Sequence, residues 1–256
     1  MPQDTVATAR RALGLLDLTE LGDHATEDDV TTLCRKATGP HGNVAAVCVW
    51  PRHVAHAVDL LWGTNVRIAT VVNFPSGAEP IDDVVAQTTQ ALADGADEID
   101  LVLPYSALLA GDLDAAAATV DAVRDVVPRD SHVVKVILET GELHRPDAIL
   151  EAATLAVEHG ADFIKTSTGK TPHSASLEAT RIMLSVIEEA GRPVGLKPSG
   201  GIRTYDDAAA YLAQADEVMG DGWATPATFR FGASGLLTAL IATIEGDAGV
   251  SSTEAY

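Results

Sequence analysis

Residues 160–170 read GADFIKTSTGK. The motif that opens this stretch, Ala-Asp followed by a run with strand composition, occurs twice more along the chain. GADEI at 95–99 and QADEV at 214–218 repeat it. Each copy is predicted to join the end of a helix to the start of a strand, because an Ala-rich segment of helical period precedes it. The three copies therefore indicate a chain of repeated βα units.

Short runs of β-branched residues alternate along the chain with longer Ala- and Leu-rich segments. This alternation is typical of a parallel sheet with crossover helices. The predicted strands are Val44–Trp50, Val66–Phe74, Glu98–Leu103, His132–Glu139, Phe163–Ser167, Val194–Lys197, Glu217–Gly220 and Phe229–Gly232. Eight such units in 256 residues predict an α/β fold, a (β/α)8 TIM barrel. A doubly wound sheet is less favoured, since no Gly-x-Gly-x-x-Gly follows the first strand.

The two ends of the chain are predicted to differ from the repeated units. Two helices, roughly Thr5–Leu16 and Glu27–Ala37, precede the first predicted strand, so we expect residues 1–40 to form a helical extension packed on the barrel. Residues 246–256 have no periodic apolar pattern and are expected to form a mobile tail. Residues 1–256 are interpreted as a single (β/α)8 barrel domain.

The composition excludes several classes of partner. The chain has 37 acidic and 17 basic residues, a formal charge of −20, which repels nucleic acid and anionic membranes. No apolar run is as long as a membrane span and no signal core opens the chain, so we expect a cytoplasmic protein. Cys34 and Cys48 are too few for a zinc site or a disulfide framework. This acidity is typical of a salt-adapted organism or of a GC-rich genome.

The lysines are scarce and unusually placed. Four of the five fall in or just after predicted strands, and these are Lys135, Lys165, Lys170 and Lys197. Chemistry in such barrels lies at the C-terminal strand ends, where Asp100, Lys165 and Lys197 are expected. Burial and a second nearby cation both favour the free amine of a lysine, which attacks carbonyl groups to form a Schiff base. Alternatively, the lysines form buried ion pairs with Asp100 or Glu139, a role that fits Lys135 better.

Small and hydroxyl residues follow three of the predicted strands. They are Thr168, Gly169 and Lys170, then Gly200 and Gly201, and finally Gly232 and Ser234 before a helix. Glycine lets backbone amides approach a phosphate, and the N-terminus of the following helix favours an anion. Loops after the last strands commonly hold phosphate in these barrels. A phosphate site formed by the three loops is therefore predicted.

Several motifs together resemble the deoxyribose-phosphate aldolase family. They are Asp17-Leu18-Thr19, Asn73-Phe74-Pro75, Asp97-Glu98-Ile99-Asp100, the run KVILET at 135–140, FIKTSTG at 163–169, and Lys197-Pro198-Ser199-Gly200-Gly201. The resemblance implies a class I aldolase that needs no metal or other cofactor and cleaves 2-deoxy-D-ribose 5-phosphate reversibly to acetaldehyde and D-glyceraldehyde 3-phosphate.

The resemblance also implies roles for single residues. Lys165 matches the Schiff-base lysine, and Asp100 and Lys197 match the proton-transfer pair. The phosphate contacts fall on Gly169, Lys170, Gly200, Gly201 and the turn from Gly232 to Ser234. Gly235 departs from the pattern, because close relatives often have a second serine there.

Three further residues have more open interpretations. Asp17 and Thr19 are expected to contact the sugar hydroxyls, or they cap the turn after the first helix. Related aldolases can end in a tyrosine, so Tyr256 is a candidate for proton transfer. Cys48 is expected to be core packing.

Two other functions stay open at this point. A transaldolase-like enzyme would also use a strand-end lysine but need not accept acetaldehyde. A non-catalytic phosphosugar-binding protein would tolerate Lys165→Arg, whereas an imine-forming enzyme would not. The expected partners are small phosphosugars and aldehydes, and a homodimer is a possible assembly.

Overall fold

The computed structural model describes residues 3–247, which form a (β/α)8 barrel. Its parallel strands, numbered β1 to β8, are Leu16–Glu20, Ala46–Val49, Arg67–Val72, Glu98–Val102, Val133–Ile137, Phe163–Lys165, Gly195–Lys197 and Phe231–Ala233. Each strand from β1 to β6 pairs with the next along the chain, and β8 pairs with β1. Parallel bridges from Leu196 to Phe229 and from Ser199 to Gly232 close the barrel between β7 and β8. The predicted fold class is confirmed.

Helices surround the strands. They are numbered α1 to α11 and comprise Gln3–Gly14, Glu27–Ala37, Val54–Leu61, Ile81–Ala93, Tyr105–Leu109, Leu113–Val126, Thr140–Leu143, Pro146–Glu158, Leu177–Glu189, Tyr205–Met219 and Leu236–Glu245. Local sequence sets several of the starts. Pro146 lies in the first turn of α8, and Thr26 and Thr204 complete capping boxes at α2 and α10.

The first barrel strand is one that the sequence interpretation missed. Residues 16–20 were expected to end a helix and form a turn, yet Leu16–Glu20 is β1, paired with β8 on one side and β2 on the other. Leu15 and Leu16 continue the apolar pattern of the preceding helix, which hides the boundary at Gly14. Within the predicted extension 1–40, the described residues 3–40 contain one helix before the barrel, then β1 and its crossover helix α2.

The predicted strand Glu217–Gly220 is wrong. Residues 214–219 lie in helix α10, which buries Ala208, Tyr211, Leu212 and Ala215 at helical spacing. The QAD copy of the repeat is therefore inside a helix, whereas the copies at 95–97 and 160–162 do join a helix to a strand. The Ala-Asp motif therefore marks a boundary between helix and strand in only two of its three copies. In those two copies, the residues that follow alternate between the two faces of the sheet.

The strands separate two environments. Outward-facing apolar residues such as Ile99, Leu101, Val134 and Ile164 belong to the large core between sheet and helices. The alternate positions point into the barrel, and several of these carry charges. The barrel interior therefore contains the candidate functional side chains. Among the described residues, no helix has both the length and the apolar character needed to cross a bilayer.

Candidate active site

Strand register brings the charged side chains of the barrel interior to neighbouring positions. Asp100 on β4 is aligned with Lys135 on β5, and Lys165 on β6 is aligned with Lys197 on β7. Residues aligned in this way project from the same face of the sheet. All four are buried, and Lys165 is only 3% exposed.

Asp100 is the centre of this arrangement. Its Oδ1 accepts a hydrogen bond from Lys135 Nζ at 2.8 Å, and its Oδ2 accepts from Lys165 Nζ at 2.9 Å and from Lys197 Nζ at 2.8 Å. Burial alone would raise the pKa of Asp100, but the three lysine side chains around it, with Lys135 the largest contributor, hold that pKa well below its usual value. The carboxylate is therefore ionised throughout the physiological range.

A second layer of charges lies against the first. Arg230 donates to Asp17 at 2.6 Å and to Glu98 at 2.8 Å. Lys135 Nζ lies 2.6 Å from Glu98, and Lys197 Nζ lies 2.6 Å from Asp17. Burial alone would raise the pKa values of both carboxylates. The pKa of Asp17 is nevertheless lowered, chiefly by Lys197 and then by Arg230. The pKa of Glu98 is lowered as well, chiefly by Lys135 and then by Arg230. Each layer thus depends on the other for compensation of its charge.

The seven side chains form what we call the interior charge cluster: Asp17, Glu98, Asp100, Lys135, Lys165, Lys197 and Arg230. It contains three carboxylates and four basic groups, so full ionisation would leave one uncompensated positive charge in a buried site. Lys165 is the group whose charged form is disfavoured. Burial lowers its pKa and the Lys197 ammonium lowers it further, against the attraction of Asp100.

The other two lysines behave in the opposite way. The carboxylates around Lys135, mainly Asp100 and Glu98, raise its pKa in spite of burial. Asp100 and Asp17 raise the pKa of Lys197 well above its usual value. Two lysines are therefore held as ammonium ions beside a third whose free amine is favoured. This is the electrostatic arrangement that activates a lysine as a nucleophile.

The predicted loops after β6, β7 and β8 do meet at one end of the barrel. Gly169, Gly200 and Gly201 all have φ near +80°, which favours glycine. A Cβ on Gly200 would lie 2.5 Å from Ser174 Oγ and 3.4 Å from the Cα of Gly169, and one on Gly232 would lie 2.6 Å from Ser199 Cβ. The loops therefore approach each other closely through their glycines.

Polar groups in the same region have partners that the sequence did not reveal. Lys170 Nζ lies 2.9 Å from the exposed carboxylate of Asp23 in the loop after β1. Ser234 Oγ donates to the carbonyl of Thr19 at 2.8 Å, which ties the β8 loop to β1. Gly235 precedes α11, and no side chain caps the first turn of that helix. Backbone amides at the N-terminus of a helix generally favour an anion.

Asp17 and Thr19 lie on β1 and not in a turn. Asp17 points into the interior charge cluster, where it contacts Lys197 and Arg230. Thr19 Oγ1 donates to the carbonyl of Asp17 at 2.9 Å. The interpretation of these residues as helix-turn caps is therefore wrong.

The opposite side of the barrel mouth is apolar. Leu21, Cys48, Val71, Phe74 and Ile137 belong to a buried cluster, against which Trp50 and Tyr105 pack. Both cysteines of the chain are free and buried, and burial raises the pKa of the Cys48 thiol. This apolar surface lowers the polarity around Lys165, which favours its neutral form.

Sequence reasoning missed two residues of this region. Glu98 and Arg230 complete the interior charge cluster; Glu98 lies two residues before Asp100 on the same strand face, a spacing that could have identified it. Glu139 was considered only as an ion-pair partner of a buried lysine. Its carboxylate is instead hydrogen-bonded to the loop after β6, a contact for which its position just after a strand offered only a weak signal.

Two further points concern metals and the chain end. Within residues 3–247 no group of three or more His, Cys, Asp or Glu side chains is arranged to hold a metal ion. Tyr256 and most of the predicted tail at 246–256 lie outside the described residues.

Comparison with known proteins adds an independent observation. Residues 11–240 match the model of the DeoC/LacD family aldolases. The chain is 47% identical over 249 residues to a deoxyribose-phosphate aldolase of Agrobacterium fabrum, covering 97% of this chain and 96% of the relative.

Two solved structures share the architecture. A candidate deoxyribose-phosphate aldolase of Toxoplasma gondii is 28% identical with a TM-score of 0.87, over 95% of this chain and 98% of that one. The tetrameric deoxyribose phosphate aldolase of Aeropyrum pernix has a TM-score of 0.76 over 94% and 97% of the two chains. At 24% identity, the latter indicates the fold alone.

Proposed function

The chain belongs to the DeoC/LacD family of aldolases, and on that premise we propose that Lys165 is the amine through which it works. The enzyme is a lyase that cleaves 2-deoxy-D-ribose 5-phosphate reversibly to acetaldehyde and D-glyceraldehyde 3-phosphate. The observation that supports Lys165 is its position in the interior charge cluster. It is a buried lysine with a lowered pKa, beside one carboxylate and a second lysine that stays charged.

Schiff-base formation is the first step. The free amine of Lys165 attacks C1 of the open-chain aldehyde, and a proton moves from nitrogen to oxygen to give a carbinolamine. Loss of its hydroxyl as water leaves a protonated imine. We assign stabilisation or protonation of the departing hydroxyl to the Lys197 ammonium, an assignment that its 2.8 Å contact with Asp100 supports. The positive charge then formed on the imine nitrogen lies beside the ionised Asp100.

Cleavage follows when the proton of the C3 hydroxyl is removed. The C2–C3 bond then breaks, its electron pair moves toward the iminium, and glyceraldehyde 3-phosphate leaves an enamine on Lys165. We assign proton removal to Asp100 acting through a water molecule, with Lys197 beside it. Protonation of the enamine at C2 and hydrolysis of the imine release acetaldehyde and restore the amine. The charge on the imine itself supplies the electron sink.

Phosphate recognition is assigned to the loops after β6, β7 and β8. We propose that Gly169, Gly200, Gly201 and Gly232 supply close backbone approach, that Lys170 supplies the positive charge, and that Thr168 and Ser234 supply or orient hydroxyl groups. Asp17 and Thr19 remain candidates for contacts near the sugar hydroxyls. On an enzyme of net charge −20, a local cation is needed to hold an anionic substrate.

The wider biology of the chain is proposed from its composition. We propose that it acts as one domain in the cytoplasm and assembles as a homodimer. Size measurement of the purified chain in solution tests the assembly.

The decisive experiment is trapping of the imine. Reduction with borohydride in the presence of acetaldehyde should attach an ethyl group to Lys165 and inactivate the enzyme, and peptide mapping locates the adduct. Lys165→Met should give neither adduct nor turnover. Lys165→Arg should also abolish turnover, whereas a protein that only binds phosphosugars would be unaffected in its function. An adduct on Lys170 or Lys197 would overturn the assignment. Treatment with a chelator should leave activity intact.

A further inference from the structure

Glu139 lies two residues after the end of β5, in a backbone conformation that is unusual for a residue with a side chain. Its φ and ψ are 56° and 57°, in the left-handed region, and its side chain is fully buried. Such a conformation costs about 1 kcal/mol or more for a residue other than glycine. Glycine would adopt this backbone conformation at lower cost. The presence of Glu at this position therefore indicates a role for its carboxylate.

The carboxylate is occupied by the loop after β6. The amide of Thr168 donates to both of its oxygens at 3.3 Å, and the Thr168 hydroxyl donates to Oε2. The Thr171 hydroxyl shares its one proton between Oε1, at 3.3 Å, and the carbonyl of His173, at 2.9 Å. Glu139 thus binds this loop on both sides of Gly169 and Lys170.

Hydrogen bonds and close contacts link Glu139, through Thr168, to the residues that we propose bind the substrate phosphate. The Thr168 hydroxyl, while donating to Glu139, accepts a hydrogen bond from the amide of Lys170 at 3.0 Å. Gly169 in turn lies against Gly200 of the next loop, with 3.4 Å between its Cα and the Cβ position of Gly200. A displacement of this loop would change the relative positions of two loops at once.

Within residues 3–247 no cation forms an ion pair with Glu139. Burial raises its pKa, whereas the hydrogen bonds from Thr168 and Thr171 and, to a smaller extent, the charge of Lys165 lower it. A buried carboxylate without a paired cation is costly unless hydrogen bonds compensate it. Here the compensating donors all belong to the loop after β6.

We propose that Glu139 is a positioning residue that holds the loop 168–171 in the geometry required to bind the substrate phosphate, and so sets the preference for phosphorylated over unphosphorylated substrates. This inference rests on the proposed function. Glu139 touches the loop through Thr168 and Thr171 and has no step of its own in imine formation or carbon–carbon cleavage.

The test compares 2-deoxyribose 5-phosphate with 2-deoxyribose, which lacks the phosphate, in three variants. Glu139→Gln removes the charge and one acceptor. Glu139→Gly removes the carboxylate while relieving the left-handed backbone. Glu142→Gln is the matched control, since the Glu142 side chain makes no hydrogen bond within residues 3–247. Binding of inorganic phosphate is measured by calorimetry as a second readout that does not depend on turnover.

Glu139→Gln and Glu139→Gly should each raise KM for the phosphorylated substrate and Kd for phosphate about tenfold, the loss of about 1.4 kcal/mol of binding. We expect kcat to change less than about threefold and kcat/KM for 2-deoxyribose to stay within about twofold. The control should match the wild type in every readout.

Three results would overturn the inference. They are an unchanged phosphate affinity in both Glu139 variants, an equal loss of kcat/KM on the two sugars, and full phosphate affinity in Glu139→Gly, which would mean that only the backbone turn matters. Failure of the wild-type chain to cleave 2-deoxyribose 5-phosphate would instead refute the proposed function, and phosphate binding would still decide the role of Glu139.

Discussion

The Nζ of Lys197 lies 2.8 Å from Oδ2 of Asp100. Lys165 donates to that same oxygen at 2.9 Å, so two amines share one carboxylate oxygen in a buried site. Two ammonium groups in such a position repel each other strongly. The conflict is relieved because Lys197 has Asp17 as a second partner at 2.6 Å, whereas Lys165 has only Asp100 among the described carboxylates. The proposed nucleophile, Lys165, is thus the lysine with fewer carboxylate contacts.

Replacing each of two buried lysines with Met should have different effects on stability. Lys135→Met leaves Glu98 and Asp100 without their shared cation and should lower the free energy of unfolding by about 3–5 kcal/mol. Lys165→Met conserves volume and removes a group whose charge is already disfavoured, so it should cost less than about 1.5 kcal/mol. Urea unfolding at pH 7 measures both. Equal losses would contradict the charge balance described for the interior cluster.

Lys197→Leu should move the acid limb of the pH profile of kcat/KM to higher pH. The Lys197 ammonium lowers the pKa of Lys165, and its removal also leaves Asp17 and Asp100 to attract a proton to Lys165. The pKa of Lys165 therefore rises, and less free amine is present at pH 7. Turnover should fall about a hundredfold or more, since Lys197 is also the proposed proton-transfer partner. An unmoved acid limb with full turnover would leave Lys197 a purely structural lysine.

Lys197→Arg separates the two roles of Lys197. Arginine keeps the positive charge but does not release a proton in this range, so the acid limb should stay in place. Reduced turnover would support a part for Lys197 in proton transfer. Full turnover would contradict the proposed proton-transfer role and leave Lys197 the electrostatic role alone, with its proton held by Asp100 and Asp17.

Added chloride salt should stabilise the fold if the acidity is an adaptation to salt. With 37 acidic and 17 basic residues, self-repulsion is strongest in dilute buffer and is screened as ionic strength rises. Exposed ion pairs such as Arg181–Glu217 are screened too, but each contributes little. The midpoint of thermal unfolding should rise by about 2–4 °C or more between dilute and molar salt, about 1 kcal/mol. A flat or falling midpoint would favour a GC-rich genome as the cause.

Deletion of Tyr256 should slow turnover far more than it weakens sugar binding. Its phenolic hydroxyl is a titratable group that a tail could bring over the imine carbon. Single-turnover kinetics separates the proton-transfer step from binding, and Tyr256→Phe is the matched variant that removes only the hydroxyl. An unchanged turnover number in both variants would show that the tail has no catalytic part.

The strands and the loops of the site were predictable to different degrees. Runs such as Phe163–Lys165 and Val133–Ile137 show strand composition and flanking signals, so local sequence suffices to find them. Leu16–Glu20 was missed because it follows α1 after a single residue, and Glu217–Gly220 was wrongly predicted because helix α10 continues through a strand-like motif. In both cases packing against distant elements overrode the local pattern.

The sequence by itself determined the barrel class, the family resemblance, the lysine of interest and the glycine-rich loops, because each is written in residues close together along the chain. Only the tertiary structure decided which charges meet. Lys197 and Asp100 are 97 residues apart, and Arg230 and Asp17 are 213 apart. Whether such groups lie 2.6 Å apart or on opposite walls depends on strand register and barrel closure, which no local pattern encodes. The ionisation of Lys165 follows from those distances.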